Sequence, residues 1–164
     1  MLTRLTHEGT NIMVDWHPDG ERLLYRTNIA GERHLSEIQV DGTGAAVLWA
    51  SNHGVRLGSW SPDGTSIVYT EVRPATGLDI LVLSVGEGEP KPLVETAFDE
   101  QQPRFSPDGD WIAYASNETG RMEIFIEPFS GPGRRWQIST NGGRSLCGAL
   151  TGRSFSTETW KATG

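Results

Sequence analysis

The sequence contains three copies of a five-residue turn motif. The motif reads W-H-P-D-G at residues 16–20, W-S-P-D-G at 60–64 and F-S-P-D-G at 105–109, so that successive copies begin 44 and 45 residues apart. A period in the forties with one aromatic residue and one tight turn per unit is typical of a β-propeller blade, a unit of about four strands. The spacing therefore predicts an all-β repeat architecture.

The positions that follow each turn also line up between the units. All three tyrosines of the chain fall in one slot, at Tyr25, Tyr69 and Tyr114. A second apolar run follows at 34–40, 79–83 and 123–126, and a third at 46–49, 92–94 and 136–138. With the stretch before the turn, these runs predict four strands in each unit.

Local stereochemistry explains why the motif turns. Proline presets φ for the first corner of a type I turn, aspartate accepts hydrogen bonds from nearby backbone N–H groups, and glycine supplies a positive φ. This chemistry favours a turn-capping role for the three aspartates over the alternative of metal ligands or acids. The motif residues interpreted as structural are Trp16, Pro18, Asp19, Gly20, Trp60, Pro62, Asp63, Gly64, Phe105, Pro107, Asp108 and Gly109.

The motif, followed by a hydrophobic-x-Tyr pattern and a later glycine, resembles the WD-repeat-like propeller repeat of the bacterial TolB family. The resemblance covers about residues 12–143, and residues 120–143 are most similar to propeller regions appended to bacterial serine/threonine protein kinases. It implies a non-catalytic scaffold that binds a protein or peptide, in the periplasm or another extracytoplasmic compartment. The repeat itself specifies architecture and says little about activity.

The repeat divides the chain into five parts. We expect the last strand of a preceding blade in residues 1–10, blades in 11–52, 53–97 and 98–143, and a tail without repeat features in 144–164. The expected fold is a partial β-propeller of about three four-stranded antiparallel blades, fewer than the roughly four to eight that close a ring. We therefore expect a fragment of a longer protein, whose remaining blades would be partners of this segment.

Charge and hydropathy exclude several classes of partner. The chain has 14 Lys and Arg against 21 Asp and Glu, a net charge of −7, and no basic cluster beyond Arg134 and Arg135. This argues against a nucleic-acid partner. No stretch approaches the roughly 20 apolar residues of a membrane span, and the first residues lack the apolar core of a signal peptide, so we expect no direct membrane insertion. The single cysteine leaves the redox compartment open.

Catalytic and cofactor motifs are missing from the sequence. It contains no G-x-S-x-G, H-E-x-x-H, phosphate-binding loop or calcium loop. His7, His17, His34 and His53 fall at unrelated positions of the repeat, which argues against zinc ligation. A catalytic cysteine needs a histidine and an orienting partner that the fold brings close. Nothing in the sequence around Cys147 suggests such a site, and it is interpreted as an incidental thiol. We expect no catalytic residue, metal or cofactor.

Three polar residues are possible contacts in the central channel. Asp15, Ser59 and Arg104 each stand one residue before the aromatic of the motif. If the aromatics pack between blades, the alternation of side chains along a strand turns these three toward the other face.

A pair of acidic residues precedes the innermost strand of the third unit. Asp99 and Glu100 could bind a cation or a basic peptide if the strand end faces the channel. We favour the interpretation that both are solvated loop charges, because loops are polar by default.

The tryptophans are expected in the core, since packing positions recur in register with a repeat. This holds for Trp16 and Trp60, with Phe105 as their counterpart, while Trp111 and Trp136 are expected to cover neighbouring blades.

Three functions remain open. The first and favoured one is a non-catalytic scaffold that binds a protein or peptide through loops at one end of the channel. The second is the gating propeller of a serine peptidase of the prolyl oligopeptidase or dipeptidyl peptidase kind, which a downstream G-x-S-x-G in a longer reading frame would favour. The third is a small-molecule-binding or lyase propeller, which needs convergent polar residues on several innermost strands.

The tail suggests a frameshift. A fourth P-D-G is due after Gly143, but the residues that follow lack every feature of the repeat. Reading the tail one base out of frame from Arg144 permits Glu-Pro-Val-Trp-Ser-Pro-Asp-Gly-Lys-Glu-Leu-Phe-Tyr, with the tryptophan codon spanning Cys147 and Gly148. On this hypothesis residues 144–164 carry no evolved structural information and are poorly packed.

The coding DNA tests the frameshift directly. We predict that the shifted frame after codon 143 encodes W-S-P-D-G at the spacing of the repeat. Sequencing of the locus checks this, and a shifted frame without that string would refute the hypothesis.

Overall fold

The computed structural model describes residues 4–131 and 133–143, and within them every regular element is a β-strand. The proposed frameshifted tail, with Cys147 and Trp160, lies outside the described residues. Three four-stranded antiparallel sheets follow one another along the chain, which confirms the all-β architecture that the repeat predicts.

Each sheet is a simple up-and-down meander. The first contains β1 (Thr10–Trp16), β2 (Arg22–Ile29), β3 (Glu32–Gln39) and β4 (Ala46–Ser51), in that order. The second contains β5 (Val55–Trp60), β6 (Ser66–Arg73), β7 (Gly77–Ser84) and β8 (Lys91–Val94). The third contains β9 (Glu100–Phe105), β10 (Trp111–Ser116), β11 (Glu123–Pro128) and β12 (Trp136–Gln137).

The P-D-G motif joins the first two strands of every sheet. The amide of the motif glycine donates to the carbonyl three residues earlier in each copy, for example from Gly64 to Ser61 at 2.9 Å. The glycines have φ values of 74°, 71° and 81°, in the region that favours glycine. Each aspartate accepts a backbone N–H two residues later, as when Asp63 accepts from Thr65 at 3.0 Å.

The sheets stack face to face through two apolar clusters. We call the face that carries Trp60 and Tyr69 in the second sheet, and the same repeat positions in the others, the front face, and the opposite side the back face. The front face of the second sheet packs on Leu24 and Leu35 of the first. The front face of the third sheet, with Phe105, Ile112, Tyr114 and Phe125, packs in the same way on the back face of the second, which carries Val68, Ile80 and Val94.

The exposure of Trp16 contradicts the expectation that all three motif aromatics are buried. Trp60 and Phe105 are 5 % and 9 % exposed, whereas Trp16 is 54 % exposed and its neighbour Val14 62 %. The physical reason is the position of the first sheet, because no described sheet packs on its front face. The same side chain type is therefore core in one repeat and surface in another.

Residues 4–9 precede β1 and belong to no strand. The sequence led us to expect the last strand of a preceding blade in residues 1–10. These residues pair with no strand of the described sheets. The segment instead lies over the outer part of the first sheet, where Leu5 approaches Gly42.

This difference in packing predicts unequal losses of stability when the same substitution is made at the two tryptophans. Trp60→Ala should lower the free energy of unfolding by about 3–5 kcal/mol, because it leaves a cavity between two sheets. Trp16→Ala, which removes a half-exposed ring, should cost less than about 1 kcal/mol. Urea unfolding followed by circular dichroism measures both, and equal losses would contradict the assignment of an open front face.

Candidate binding site on the innermost strands

The innermost strands β1, β5 and β9 lie side by side and bring Asp15, Ser59 and Arg104 into one row. A carboxylate oxygen of Asp15 accepts the backbone N–H of Trp60 at 3.1 Å, and the hydroxyl of Ser59 accepts that of Phe105 at 2.9 Å. In the first two sheets the residue before the motif aromatic thus accepts a hydrogen bond from the backbone of the aromatic in the next sheet. The motif aromatics pack between sheets, and their predecessors cross-link the strands at the centre.

Arg104 breaks this pattern, because a guanidinium group has no acceptor atom. Its Nη1 donates to the carbonyl of Gly58 at 2.5 Å and lies 3.5 Å from a carboxylate oxygen of Asp15. The side chains of Arg104 and Asp15 are 35 % and 27 % exposed, so both charges can be reached from solvent. The row therefore brings a carboxylate, a hydroxyl and a guanidinium group into one small area, in which the two charged groups are partly exposed and Ser59 is buried.

Burial and two neighbouring groups act in opposite directions on the pKa of Asp15. Removal of water raises the pKa of its carboxyl group, and the N–H of Trp60 and the charge of Arg104 oppose that rise. The ionised form of Asp15 is thus disfavoured by burial and supported by two groups from other sheets. A ligand that draws Arg104 away would weaken that support.

Further polar contacts extend the row across the sheets. Arg26 donates to the carbonyl of Val55 at 3.1 Å, and Arg56 donates to the side chain of Gln101 at 3.3 Å. Sequence reasoning missed both contacts. The first joins different positions of the repeat, whereas the second joins equivalent positions, four residues before Trp60 and four before Phe105.

Gly58 is another residue that sequence reasoning missed. A Cβ at this position would collide with the carbonyl oxygen of Val68 and would lie 2.7 Å from that of Pro103. A side chain at residue 58 would therefore push β5 away from β9, and glycine permits the close approach that brings Arg104 to its carbonyl.

The acidic pair at the start of β9 does not behave as a pair of solvated loop charges. Asp99 accepts the backbone N–H of Leu78 at 3.2 Å and so ties the third sheet to the second. Glu100 lies on the strand and is fully buried, with its Oε1 accepting from Thr96 at 2.6 Å and from Ser116 at 3.3 Å. The expectation of a solvated loop carboxylate is wrong for Glu100, because the side chain points into the space between sheets.

The environment of Glu100 disfavours its charged form. Its Oε2 has no hydrogen-bond partner among the described residues. Burial raises the pKa of Glu100, with smaller contributions in the same direction from Asp79 and Glu118, while the hydroxyls of Thr96 and Ser116 oppose the shift. Among the described residues no group of three or more His, Cys, Asp or Glu side chains could hold a metal ion.

His17 takes the serine slot of the first turn and has a packing role. Its ring meets that of Trp60 edge-on, with centroids 4.6 Å apart. A Cβ at Gly64 would lie 2.5 Å from its Nε2, so the turn of the second sheet rests on this ring.

No family model matches the chain. An uncharacterised protein of Agrobacterium fabrum, Atu1656, is 29 % identical over 157 residues, which cover 68 % of this chain and 52 % of that protein. The uncharacterised peptidase YuxL of Bacillus subtilis is 29 % identical over 140 residues, which cover 63 % of this chain and 21 % of YuxL. The chain thus spans about half the length of one relative and about a fifth of the other.

Solved structures give the class of fold. TolB from Acinetobacter baumannii matches with a TM-score of 0.72 and 20 % identity, over 82 % of this chain and 33 % of that one. A putative TolB from Agrobacterium tumefaciens matches with a TM-score of 0.68 and 25 % identity, over 76 % of this chain and 44 % of that one. A structure from a study of two prolyl endopeptidases matches with a TM-score of 0.57 and 17 % identity, over 82 % of this chain and 22 % of that one.

These matches show that the chain has the fold of a partial β-propeller, and this fold is similar to that of TolB. The similarity of residues 120–143 to kinase-appended propellers stays a prediction. No helix among the described residues is long and apolar enough to cross a membrane.

The buried carboxyl group of Glu100 predicts a specific dependence of stability on pH. A pKa raised above the ordinary value means that the native state favours the protonated form, so stability is lost as pH rises through the native pKa. Glu100→Gln keeps an acceptor for Thr96 and removes the charge. At about pH 8 it should raise the free energy of unfolding by about 1 kcal/mol, and the gain should shrink toward about pH 4.

Urea unfolding at the two pH values measures this effect. Glu95→Gln, an exposed change of the same chemistry five residues earlier, is the matched control and should change little at either pH. A Glu100→Gln protein that is less stable than the native chain at about pH 8 would show that the carboxylate is stabilising there.

Proposed function

We propose that this chain is a non-catalytic β-propeller module that binds a protein or peptide at the row formed by Asp15, Ser59 and Arg104. The observation that carries the proposal concerns one position of the repeat. The three innermost strands bring its three copies close together, and each copy holds a different polar group. The tyrosine slot, by contrast, keeps one residue type in all three repeats. Here a negative, a neutral and a positive group lie together.

The geometry of the row is better suited to binding a peptide than to catalysing a reaction. A peptide offers backbone N–H and C=O groups and charged side chains, which a carboxylate, a hydroxyl and a guanidinium group can all bind. The guanidinium of Arg104 can exchange Asp15 for a carboxylate of the ligand, because both side chains are partly exposed. The remaining blades that the repeat predicts would complete the rim around the same centre.

Similarity to peptidases supports a second candidate, the gating propeller of a serine peptidase. The observation that favours it is the similarity to YuxL together with the structural match to a prolyl endopeptidase. In that function the propeller would lie over a separate hydrolase domain. A G-x-S-x-G motif farther along the same reading frame would favour the peptidase, and its absence from the full reading frame would favour the binding module.

We also infer that the protein works outside the cytoplasm, on the basis of its TolB-like repeat. Fractionation of cells that express the native gene, followed by immunoblotting, tests this. Recovery of the protein in the cytoplasmic fraction alone would contradict it.

Peptide selection tests the binding function for any partner that is recognised through a peptide segment. We predict that panning a random displayed peptide library on the immobilised chain yields binders whose affinity falls roughly tenfold for Arg104→Gln and for Asp15→Asn. One charge-assisted hydrogen bond is worth about 1.5 kcal/mol or more, which corresponds to that factor. Isothermal titration calorimetry with a selected peptide measures the change.

Lys91→Gln supplies the control, since Lys91 is an exposed cation on the outer strand β8. Its affinity for the peptide should equal that of the native chain. Circular dichroism establishes that each variant is folded. Equal affinity of the Arg104 variant and the native chain would contradict binding at the row.

A further inference from the structure

A small polar pocket lies between the first and second sheets. It has a volume of about 100 Å³, and its lining includes Trp49 on β4, Tyr69, Glu71 and Arg73 on β6, and Pro90 just before β8. Sites for drug-sized ligands have volumes of about 300–1,000 Å³. This pocket therefore has room for the end of one side chain and not for a whole cofactor.

Two hydrogen-bond donors of the lining lack an acceptor. The indole Nε1 of Trp49 and the Nε of Arg73 are both buried, and neither has a hydrogen-bond partner among the described residues. A carboxylate oxygen of Glu71 lies 3.5 Å from the Nε of Arg73, which is close enough for an ion pair but does not make a hydrogen bond. Buried donors are normally paired, so the pocket indicates a ligand that carries an acceptor.

The acidic side chains of the pocket limit the charge of that ligand. Glu71 is 5 % exposed, and its Oε2 accepts from the hydroxyl of Ser51 at 3.0 Å and from that of Tyr69 at 3.5 Å. Glu89 is a second, exposed carboxylate, and Arg73 supplies the one basic group of the lining. An anionic ligand would meet two carboxylates against one guanidinium group, and like charges at close range are costly. A cationic ligand would bring only donors to Arg73.

The third sheet fills the equivalent place with a side chain of its own. Tyr114 holds the position of Tyr69, and Arg135 donates to its hydroxyl at 3.3 Å. The same guanidinium group donates to Glu118 at 2.7 Å and lies 4.9 Å from the centre of the ring of Phe125. A donor group from the chain thus occupies this place and pairs with an acidic wall.

The second sheet reverses this arrangement. By the registers of the strands, Arg73 holds the position of Glu118, and Pro90 holds that of Arg135. The charged group of the wall is now a donor, and proline has no polar side chain that could reach into the space. The pocket therefore remains open to a group with the opposite hydrogen-bonding character, which is an acceptor.

We propose that this pocket binds the carboxamide group of a Gln or Asn side chain from a partner polypeptide. The carbonyl oxygen of a carboxamide has two lone pairs, which accept from Trp49 and Arg73, and its NH₂ group donates to Glu71 or Glu89. Because the group is neutral, neither the carboxylates nor the guanidinium group repels it. The pocket shares no residue with the row on the innermost strands, so it is a second binding site beyond the proposed function.

Blocked tripeptides test the chemical class of the ligand. The peptides are acetyl-Gly-X-Gly N-methylamides with Gln, Glu, Arg or Met at X, and each is titrated into the isotope-labelled native chain. The indole N–H resonance of Trp49, identified by its loss in Trp49→Phe, reports on the pocket. We expect the Gln peptide to shift this resonance saturably, with a dissociation constant in the millimolar range because few atoms make contact. The other three should bind roughly tenfold more weakly.

A substitution in the wall tests the role of the guanidinium group. Arg73→Met keeps an apolar stem and removes the donors, and the Gln peptide should bind it roughly tenfold more weakly than the native chain. Arg134→Met is the matched control, since Arg134 is an exposed arginine between β11 and β12 that does not line the pocket. Its affinity should equal that of the native chain. Circular dichroism establishes that each variant is folded.

Four results would overturn the proposal. Absence of a saturable shift with the Gln peptide would show that the pocket holds only water. An equal shift with the Met peptide would show that the pocket binds the peptide backbone. Tighter binding of the Glu or the Arg peptide would assign the pocket to a charged group. Equal affinity of Arg73→Met and the native chain would place the binding elsewhere. Affinity at the row is measured with other peptides and the Arg104 variant, so each proposal can fail without the other.

Discussion

Burial of one sheet's front face against the back face of the sheet before it is the interaction on which the structure depends. Antiparallel meanders of four strands are marginal alone, and here each gains a core only from its neighbour. Tyr69 and Tyr114 lie at the centres of the two interfaces and are completely buried. Among the described residues no sheet covers the front face of the first sheet, which explains the exposure of Trp16.

Polar groups add specificity to an apolar stack. Asp15 and Ser59 bond to the backbone of the next sheet, and Asp99 bonds back to the previous one. Such bonds contribute modest free energy but fix the rotation of one sheet against another, because donor and acceptor must align. Arg104 occupies the same position without an acceptor, and its charge remains available at the centre. Under the proposed function, a repeat position with a structural role in two sheets serves binding in the third.

The difference in side-chain chemistry between the repeats is informative about function. The turn residues and the tyrosine slot recur because each sheet must bend and pack in the same way. The residue type in the row on the innermost strands differs between the repeats. Such differences at a shared position give a repeat fold an asymmetric surface. The similarity to TolB structures and to a peptidase fits this division, since one scaffold carries different activities in different proteins.

The sequence by itself determined the strands, the turns and the period, because these depend on local stereochemistry and on the alternation of side chains. It also placed Asp15, Ser59 and Arg104 on the face opposite the aromatics. Tertiary structure alone decided which repeated positions are buried, since Trp16 and Trp60 share a motif but only Trp60 has a sheet in front of it. It likewise decided that Glu100 is buried and that Gly58 must be glycine, because both depend on how closely strands distant in sequence approach.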